Sequence, residues 1–292
     1  MPSPGERLRS AWAERPIMIP GVFNALAARI AEQVGFPAVY LSGGALAAGW
    51  AGVPDIGLLT LTEFVEQAAV LARATTLPLL CDADTGFGEA VNVARTVRLF
   101  EDAGAAGIHL EDQVLPKRCG HLSGKSLIDT QAMASKIRAA VSSRRDPSFV
   151  IVARTDARSV EGFDAAVARA RAYLHAGADM IFPEALESAE EFARFAETVR
   201  APLLANMTEF GRGPMLSVSE LGPMGYRAVL FPLTAFRAAM RAAEETLRLL
   251  HAQGTQREAL GRMQTRAELY EAIGYRDWEE RDRSYFSSPP SD

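Results

Sequence analysis

The chain has 292 residues, 48% hydrophobic and 23% charged, an ordinary globular composition long enough to bury a sizeable core without disulfides or metal staples. Its 31 Lys and Arg against 36 Asp and Glu leave a net charge of −5, which argues against electrostatic binding of nucleic acid or of an anionic membrane surface. Two cysteines cannot form a disulfide framework and suggest a reducing, cytoplasmic setting; no apolar run reaches about 18 residues, and Met1–Arg15 has basic residues without an apolar stretch, so neither a spanning helix nor a signal peptide is expected.

Short apolar runs recur along the chain: Ile17–Ile19, Ala38–Leu41, Leu77–Cys81, Gly107–Leu110, Phe149–Ala153, Met180–Phe182, Pro202–Ala205 and Ala228–Phe231. They are continuous rather than alternating, as parallel strands buried on both faces require. Helical patterns separate them, with capping boxes at Thr60–Glu63, Ser188–Glu191 and Ser217–Glu220, and with Gly35, Gly104 and Gly177 where helices should stop. Eight such units in about 235 residues predict a closed (β/α)8 barrel. An open doubly wound sheet is disfavoured because no GxGxxG follows the first strand. After Phe231 the pattern is helical. Helices are expected over Ala235–Gln253 and Thr255–Met263, with a third opening at the Thr265–Glu268 box. The whole chain, 1–292, therefore reads as one barrel domain, with 235–286 a helical extension packing on the barrel or on a neighbouring subunit.

In such a barrel, function sits at the C-terminal strand ends. Six of these ends carry polar groups: Tyr40-Leu-Ser-Gly-Gly44, Cys81-Asp-Ala-Asp84, His109-Leu-Glu-Asp-Gln113, Ala153-Arg-Thr-Asp156, Phe182-Pro-Glu184 and Asn206-Met-Thr-Glu209. Asp82 and Asp84 flank one residue, which aims both carboxylates to one side of an extended segment, and Glu111 lies one strand over. That oxygen-rich set suits Mg²⁺ or Mn²⁺; the alternative is a plain ion-paired DxD. His109, inside an apolar strand, reads as a satisfied buried histidine, and Cys81 as packing. The loop Lys117-Arg-Cys-Gly-His121 carries the most chemistry, because Lys117, Arg118 and His121 favour a thiolate at Cys119. Gly120 and Gly124 let this loop bend as a lid requires. The alternative is an exposed basic loop with an incidental cysteine.

These motifs resemble the isocitrate lyase / phosphoenolpyruvate mutase superfamily, and within it the branch of short bacterial 2-methylisocitrate lyases. The resemblance runs from about Ile17 to Phe286. It is most specific at Lys117-Arg-Cys-Gly-His121 and is supported by Ser42-Gly-Gly44, Asp82-Ala-Asp84, Gly86-Phe-Gly88, Glu111-Asp-Gln113, Arg154-Thr-Asp156, Pro183-Glu184, Thr208-Glu-Phe210 and Gln264-Thr-Arg266. Three places depart from the family pattern: Met207 replaces the usual isoleucine or valine, the stretch after Gly88 is a residue shorter, and Gly211-Arg-Gly-Pro214 varies.

The resemblance implies a homotetramer with its last helix exchanged between subunits, Mg²⁺ dependence, and cleavage of a small tricarboxylate, (2S,3R)-2-methylisocitrate, to pyruvate and succinate in propionate breakdown. It further implies that Asp82 and Asp84 hold the ion while Glu111 orients its waters. Arg154 clamps a carboxylate. Arg237 and Arg266 sit near the others, with Glu184, Asn206 and Thr208 completing the cradle. Ser42 and the backbone of Gly43 and Gly44 donate at close range. Cys119 exchanges the proton with the succinate carbon, Tyr40 or Asp55 relays the hydroxyl proton, and Phe182, Leu230 and Pro232 form an apolar pocket for the methyl group. Isocitrate lyase, a dimethylmalate-type lyase, and the phosphonomutase or oxaloacetate-hydrolase branch are the alternatives. The first usually carries long insertions, and the last generally lacks the loop cysteine.

Overall fold

The protein was analysed as a computed structural model that describes residues 2–118, 120 and 124–287. Eight parallel strands form one sheet: β1 (Ile17–Pro20), β2 (Val39–Leu41), β3 (Leu79–Asp82), β4 (Gly107–Glu111), β5 (Val150–Thr155), β6 (Met180–Pro183), β7 (Leu203–Asn206) and β8 (Tyr226–Phe231). Their order is β1-β8-β7-β6-β5-β4-β3-β2. A parallel bridge between Gly21 and Tyr40 joins the two ends, with the Val22 N–H donating to the Tyr40 carbonyl at 2.9 Å. The sheet is thus a closed (β/α)8 barrel, as the run-and-helix pattern predicts. On its other side β1 runs tight against the end of β8, since a Cβ on Gly21 would lie 2.0 Å from the Pro232 carbonyl oxygen.

Along each strand the pleat sends alternate residues to opposite faces, so two apolar layers form. Ile17, Ile19, Leu80, Val150, Val152, Met180, Leu204 and Ala228 fill the barrel interior together with Leu8 and Trp12. Leu79, Cys81, Ile108, Leu110, Ile151, Ile181 and Val229 lie on the other face, in the layer shared with the helices. Cys81 belongs to this outer layer and is fully buried, which bears out its reading as packing.

The caps at Thr60, Ser217 and Thr265 form complete capping boxes. Ser188 caps its helix, but Glu191 turns to Arg158 and the Glu187 amide instead of closing the box. Gly35, Gly104 and Gly177 all take positive φ at helix ends. Two elements differ from expectation. An unanticipated helix spans Pro4–Glu14, opened by a Ser3–Glu6 capping box with proline in its first turn. The segment expected as a helix over Thr255–Met263 is a 3-10 turn, Arg257–Arg262.

The chain divides into two compact units, Met1–Phe236 and Arg237–Asp292. The first holds the barrel. The second contains most of the helix Thr234–Gln253, the 3-10 turn, and the helices Arg266–Ala272 and Tyr275–Ser287. Among the described residues, no helix is long and apolar enough to cross a membrane.

Candidate active site

The interior register decides which polar residues meet. Tyr40, Leu80, Val152, Phe182, Leu204 and Leu230 point into the barrel. Two residues further on, or one strand across in register, come Ser42, Asp82, Glu111, Arg154, Glu184, Asn206 and Pro232. They line a cavity of about 210 Å³ at the C-terminal mouth, together with Asp55, Lys117, Gly120 and Thr208. The apolar part of the wall includes Phe182, Leu230 and Pro232, joined by Val53 and Leu233, which sequence reasoning did not single out.

Asp82 is the anchor of the acidic side. Its Oδ2 accepts the Gly43 N–H at 3.1 Å and the Tyr40 hydroxyl at 3.4 Å, and its Oδ1 accepts the Asp84 N–H at 2.9 Å. Burial alone would raise this carboxyl, but the facing His109 ring, the Lys117 ammonium and the Asp84 amide outweigh it and bring it to about 2. The Gly43 amide is therefore committed to Asp82, and Gly43 is not among the residues lining the cavity, in contrast to the expected donation to substrate. Its missing side chain has a different reason: a Cβ there would lie 2.7 Å from Asp82 Oδ2. Gly44 and Ser42 do line the cavity, and Ser42 Oγ also caps the short helix Gly43–Leu46 by accepting from the Ala45 N–H.

Asp84 reaches the same cluster by a different route from the extended one expected. It lies past the strand end with φ 45°, in the left-handed region that short polar side chains tolerate. Its Oδ1 sits 2.7 Å from Lys117 Nζ, which is also 2.5 Å from Asp55 Oδ1. Burial pushes Asp84 up to about 7, and the Asp82 and Asp55 charges add to this against the pull of Lys117. Glu111 is driven well above the usual carboxylate range, chiefly by burial, with Arg154 and Lys117 pulling the other way. Its Oε1 is buried and has no hydrogen-bond donor. Burial disfavours the Lys117 ammonium, but Asp84, Glu111, Asp82 and Asp55 together hold its pKa well above the usual value. Among the described residues, no three His, Cys, Asp or Glu side chains converge closely enough to hold a metal ion by themselves.

Arg154 faces this cluster from β5. Its Nε and Nη2 donate to the two Asp156 oxygens at 3.0 and 3.1 Å, while Nη1 stays 3.5 Å from both Glu111 and Glu184. Its guanidinium also lies over the Phe182 ring, 5.1 Å from the centroid. Glu184 accepts from Asn206 Nδ2 at 3.2 Å, and Asn206 Oδ1 accepts the Thr208 hydroxyl at 2.7 Å, which links the ends of β6 and β7. His109 is fully buried, as expected. Its Nε2 is 2.7 Å from the Tyr40 hydroxyl, but its Nδ1 has no partner, so the expected satisfaction is only half met. The Tyr40 phenol is raised well above its usual value, first by burial and then by Asp82.

The β4 loop is fastened at its base by the antiparallel Gln113–Leu127 bridge. The Gln113 side-chain amide then grips the backbone of Arg118 from both sides, donating to its carbonyl at 2.8 Å and accepting its N–H at 2.9 Å. Lys117 is thereby delivered to the carboxylates. Gly120 lies against Arg154 and Glu184, each 2.5 Å from where a Cβ would stand. No signal in the sequence marked Gln113 as a clamp, because its role depends on where the loop returns. Cys119 and His121 lie outside the described residues, and Arg237 and Arg266 fall in the second compact unit.

The family model described as Phosphoenolpyruvate phosphomutase matches residues 8–251. The chain is similar to the 2-methylisocitrate lyase of Aeropyrum pernix, at 54% identity over 96% of this chain and 90% of that one. It is 48% identical to the 2-methylisocitrate lyase of Escherichia coli, over 98% of this chain and 97% of the other. Among solved structures it resembles 2,3-dimethylmalate lyase, a member of the phosphoenolpyruvate mutase/isocitrate lyase superfamily, with a TM-score of 0.91 at 36% identity, covering 98% of this chain and 96% of that one. It also resembles phosphonopyruvate hydrolase, solved with oxalate and Mg²⁺, with a TM-score of 0.89 at 30% identity over 98% of this chain and all of that one.

Proposed function

We propose that this chain, which belongs to the phosphoenolpyruvate phosphomutase family and within it to the 2-methylisocitrate lyases, cleaves 2-methylisocitrate to pyruvate and succinate. The observation that carries the reading is one cavity lined both by Arg154 with a cluster of carboxylates and by the apolar side chains Phe182, Leu230 and Pro232. A tricarboxylate with one extra methyl group needs both surfaces. The identity of about half to enzymes named for this substrate favours it over the dimethylmalate, isocitrate and phosphonate readings.

The donor set fits Mg²⁺ or Mn²⁺. Asp82, Asp84 and Glu111 are hard oxygen ligands without sulfur, and the buried Glu111 Oε1, which has no hydrogen-bond donor among the described residues, would gain a partner in a divalent cation. Few direct carboxylates are needed, because Mg²⁺ keeps several waters. When bound, the ion supplies Lewis acidity toward the 2-hydroxyl and its neighbouring carboxylate.

The residues of the chain divide the remaining work. Arg154 presents Nη1 to a substrate carboxylate while Asp156 holds the other edge of its guanidinium. Asp55, which lines the cavity beside Lys117, takes the hydroxyl proton; Tyr40 is the weaker choice, because its raised pKa keeps the phenol protonated. As the C–C bond breaks, its electron pair passes to the carbon that becomes part of succinate, and the hydroxyl oxygen becomes the keto oxygen of pyruvate. The Cys119 thiol then delivers a proton to that carbon, and its basic sequence neighbours Lys117, Arg118 and His121 support the step by stabilising the thiolate left behind. Ser42, Gly44, Asn206 and Thr208 offer hydrogen bonds around the substrate. Association into a homotetramer, with the last helix exchanged, is supported by the exposed Leu247, Trp278, Tyr285 and Phe286 of the second unit.

The test is release of pyruvate from a panel of 2-hydroxy acids with Mg²⁺ present. Turnover greatest with 2-methylisocitrate is expected. Greater turnover of 2,3-dimethylmalate or isocitrate would reassign the substrate, and release of no keto acid from any of the panel would overturn the lyase reading.

A further inference from the structure

Behind the cavity wall lies an ion pair with no part in the chemistry above. Lys125 is on the returning limb of the β4 loop, just before the Gln113–Leu127 bridge, and its side chain is almost wholly buried. Its Nζ donates 2.7 Å to Asp156 Oδ1 and 2.5 Å to the Gly120 carbonyl. Asp156 is fully buried and faces two cations at once, Lys125 and the Arg154 fork. Its own amide is fixed by Asp112 Oδ1 at 2.9 Å, so the carboxylate has little freedom to move.

Two features of the cavity wall thus hang on one ammonium. The Gly120 backbone packs so closely on Arg154 and Glu184 that no side chain fits there. A shift of its carbonyl would open or crowd the Arg154 side of the cavity. Oδ1 of Asp156 is shared between Lys125 Nζ and Arg154 Nη2. Without the ammonium, Asp156 would keep the guanidinium as its one ion-pair partner among the described residues and would draw it back from the cavity.

We propose that Lys125 is a positioning residue that acts through Asp156 and Gly120, holding the Arg154 guanidinium and the loop backbone in register for the substrate carboxylate. The inference rests on the reading of Arg154 as a carboxylate clamp. Lys125 itself is not among the residues lining the cavity.

The experiment compares the full-length wild type with Lys125→Met, Lys125→Arg and Asp156→Asn. Lys125→Met keeps the apolar stem and removes the charge. Partners that orient a binding group from behind are typically worth about 10–100-fold. Lys125→Met should therefore lower kcat/KM for 2-methylisocitrate by about that factor, mainly through KM, and weaken succinate binding measured by calorimetry in the same proportion. Lys125→Arg should recover most of both losses, because a guanidinium can also donate to two acceptors, and Asp156→Asn should resemble Lys125→Met. Wild-type KM and succinate affinity in Lys125→Met, with only a lowered Tm, would overturn the proposal in favour of a purely structural ion pair. The calorimetric arm separates the two claims. A wild type that binds succinate but cleaves no 2-methylisocitrate would sink the lyase assignment, while the effect of Lys125 on succinate affinity would still decide the positioning role.

Discussion

Lys117 Nζ stands 2.7 Å from Asp84 Oδ1, so a lysine delivered by the β4 loop is ion-paired with a carboxylate expected to serve the metal. The ammonium and a divalent cation would draw on the same negative charge. Removing the metal with EDTA should abolish turnover, and Mg²⁺ or Mn²⁺ should restore it. Asp84→Ala should raise the Mg²⁺ concentration needed for half-maximal rate by at least tenfold. A chelated enzyme that still turns over would show the acidic cluster to be purely structural.

Cys119→Ser should lower kcat by at least about 10²-fold, since a hydroxyl is a far poorer proton donor than a thiol and general acid catalysis is worth about 10²–10⁴-fold. Succinate binding by the variant should stay close to wild type. Near-normal turnover would remove Cys119 from the mechanism.

Gly120→Ala places a methyl group 2.5 Å from Arg154 Nη2 and from Glu184 Cδ. Either the loop or the guanidinium must move, and a displacement on the order of 1 Å at a reacting centre costs about 10²-fold. The expected outcome is a fall of that size in kcat/KM with a Tm near that of the wild type. Unchanged kinetics would mean that the loop backbone does not need to approach Arg154.

The apolar wall predicts a bounded preference. One methyl group in an apolar pocket is worth about 1–3 kcal/mol, so 2-methylisocitrate should exceed isocitrate in kcat/KM by roughly 10–200-fold. Leu230→Phe should shrink that ratio by filling the space meant for the methyl group. A ratio that does not respond to Leu230 would move the methyl site elsewhere.

Where β1 meets the end of β8, Gly21→Ala would put a Cβ 2.0 Å from the Pro232 carbonyl oxygen, a backbone atom that cannot swing aside. Destabilisation of about 3 kcal/mol, the upper end for overpacking, is expected in urea unfolding. A variant as stable as wild type would show that the β1–β8 contact can be relaxed at little cost.

Sequence alone carried the number of strands, their parallel character, several helix caps and most of the residues of the cavity. The strands and caps follow from local chemistry, continuous apolar runs, capping side chains and turn glycines, while the roles of Phe182, Leu230, Pro232, Glu184, Asn206 and Thr208 came from the family resemblance. Even the meeting of the site residues is written in a period of two. Tyr40 and Ser42, Arg154, Phe182 and Glu184, Asn206 and Thr208, Leu230 and Pro232 follow the phase of the inward-facing apolar residues in their strands, so a closed barrel sends them to one mouth.

The tertiary structure decided what each polar atom is free to do. The Gly43 amide is taken by Asp82, Asp84 reaches the cluster through a left-handed turn, and Lys117 pairs with Asp84 one strand away and with Asp55 two strands away. Gln113 stood in a motif that did not show its clamping role, and Lys125 showed no signal, because a hydrogen bond to a loop carbonyl depends on where the backbone returns and not on the residue type. Local sequence sets which elements form and which face is apolar; long-range closure alone sets which donors and acceptors are already satisfied, and therefore which remain for a ligand.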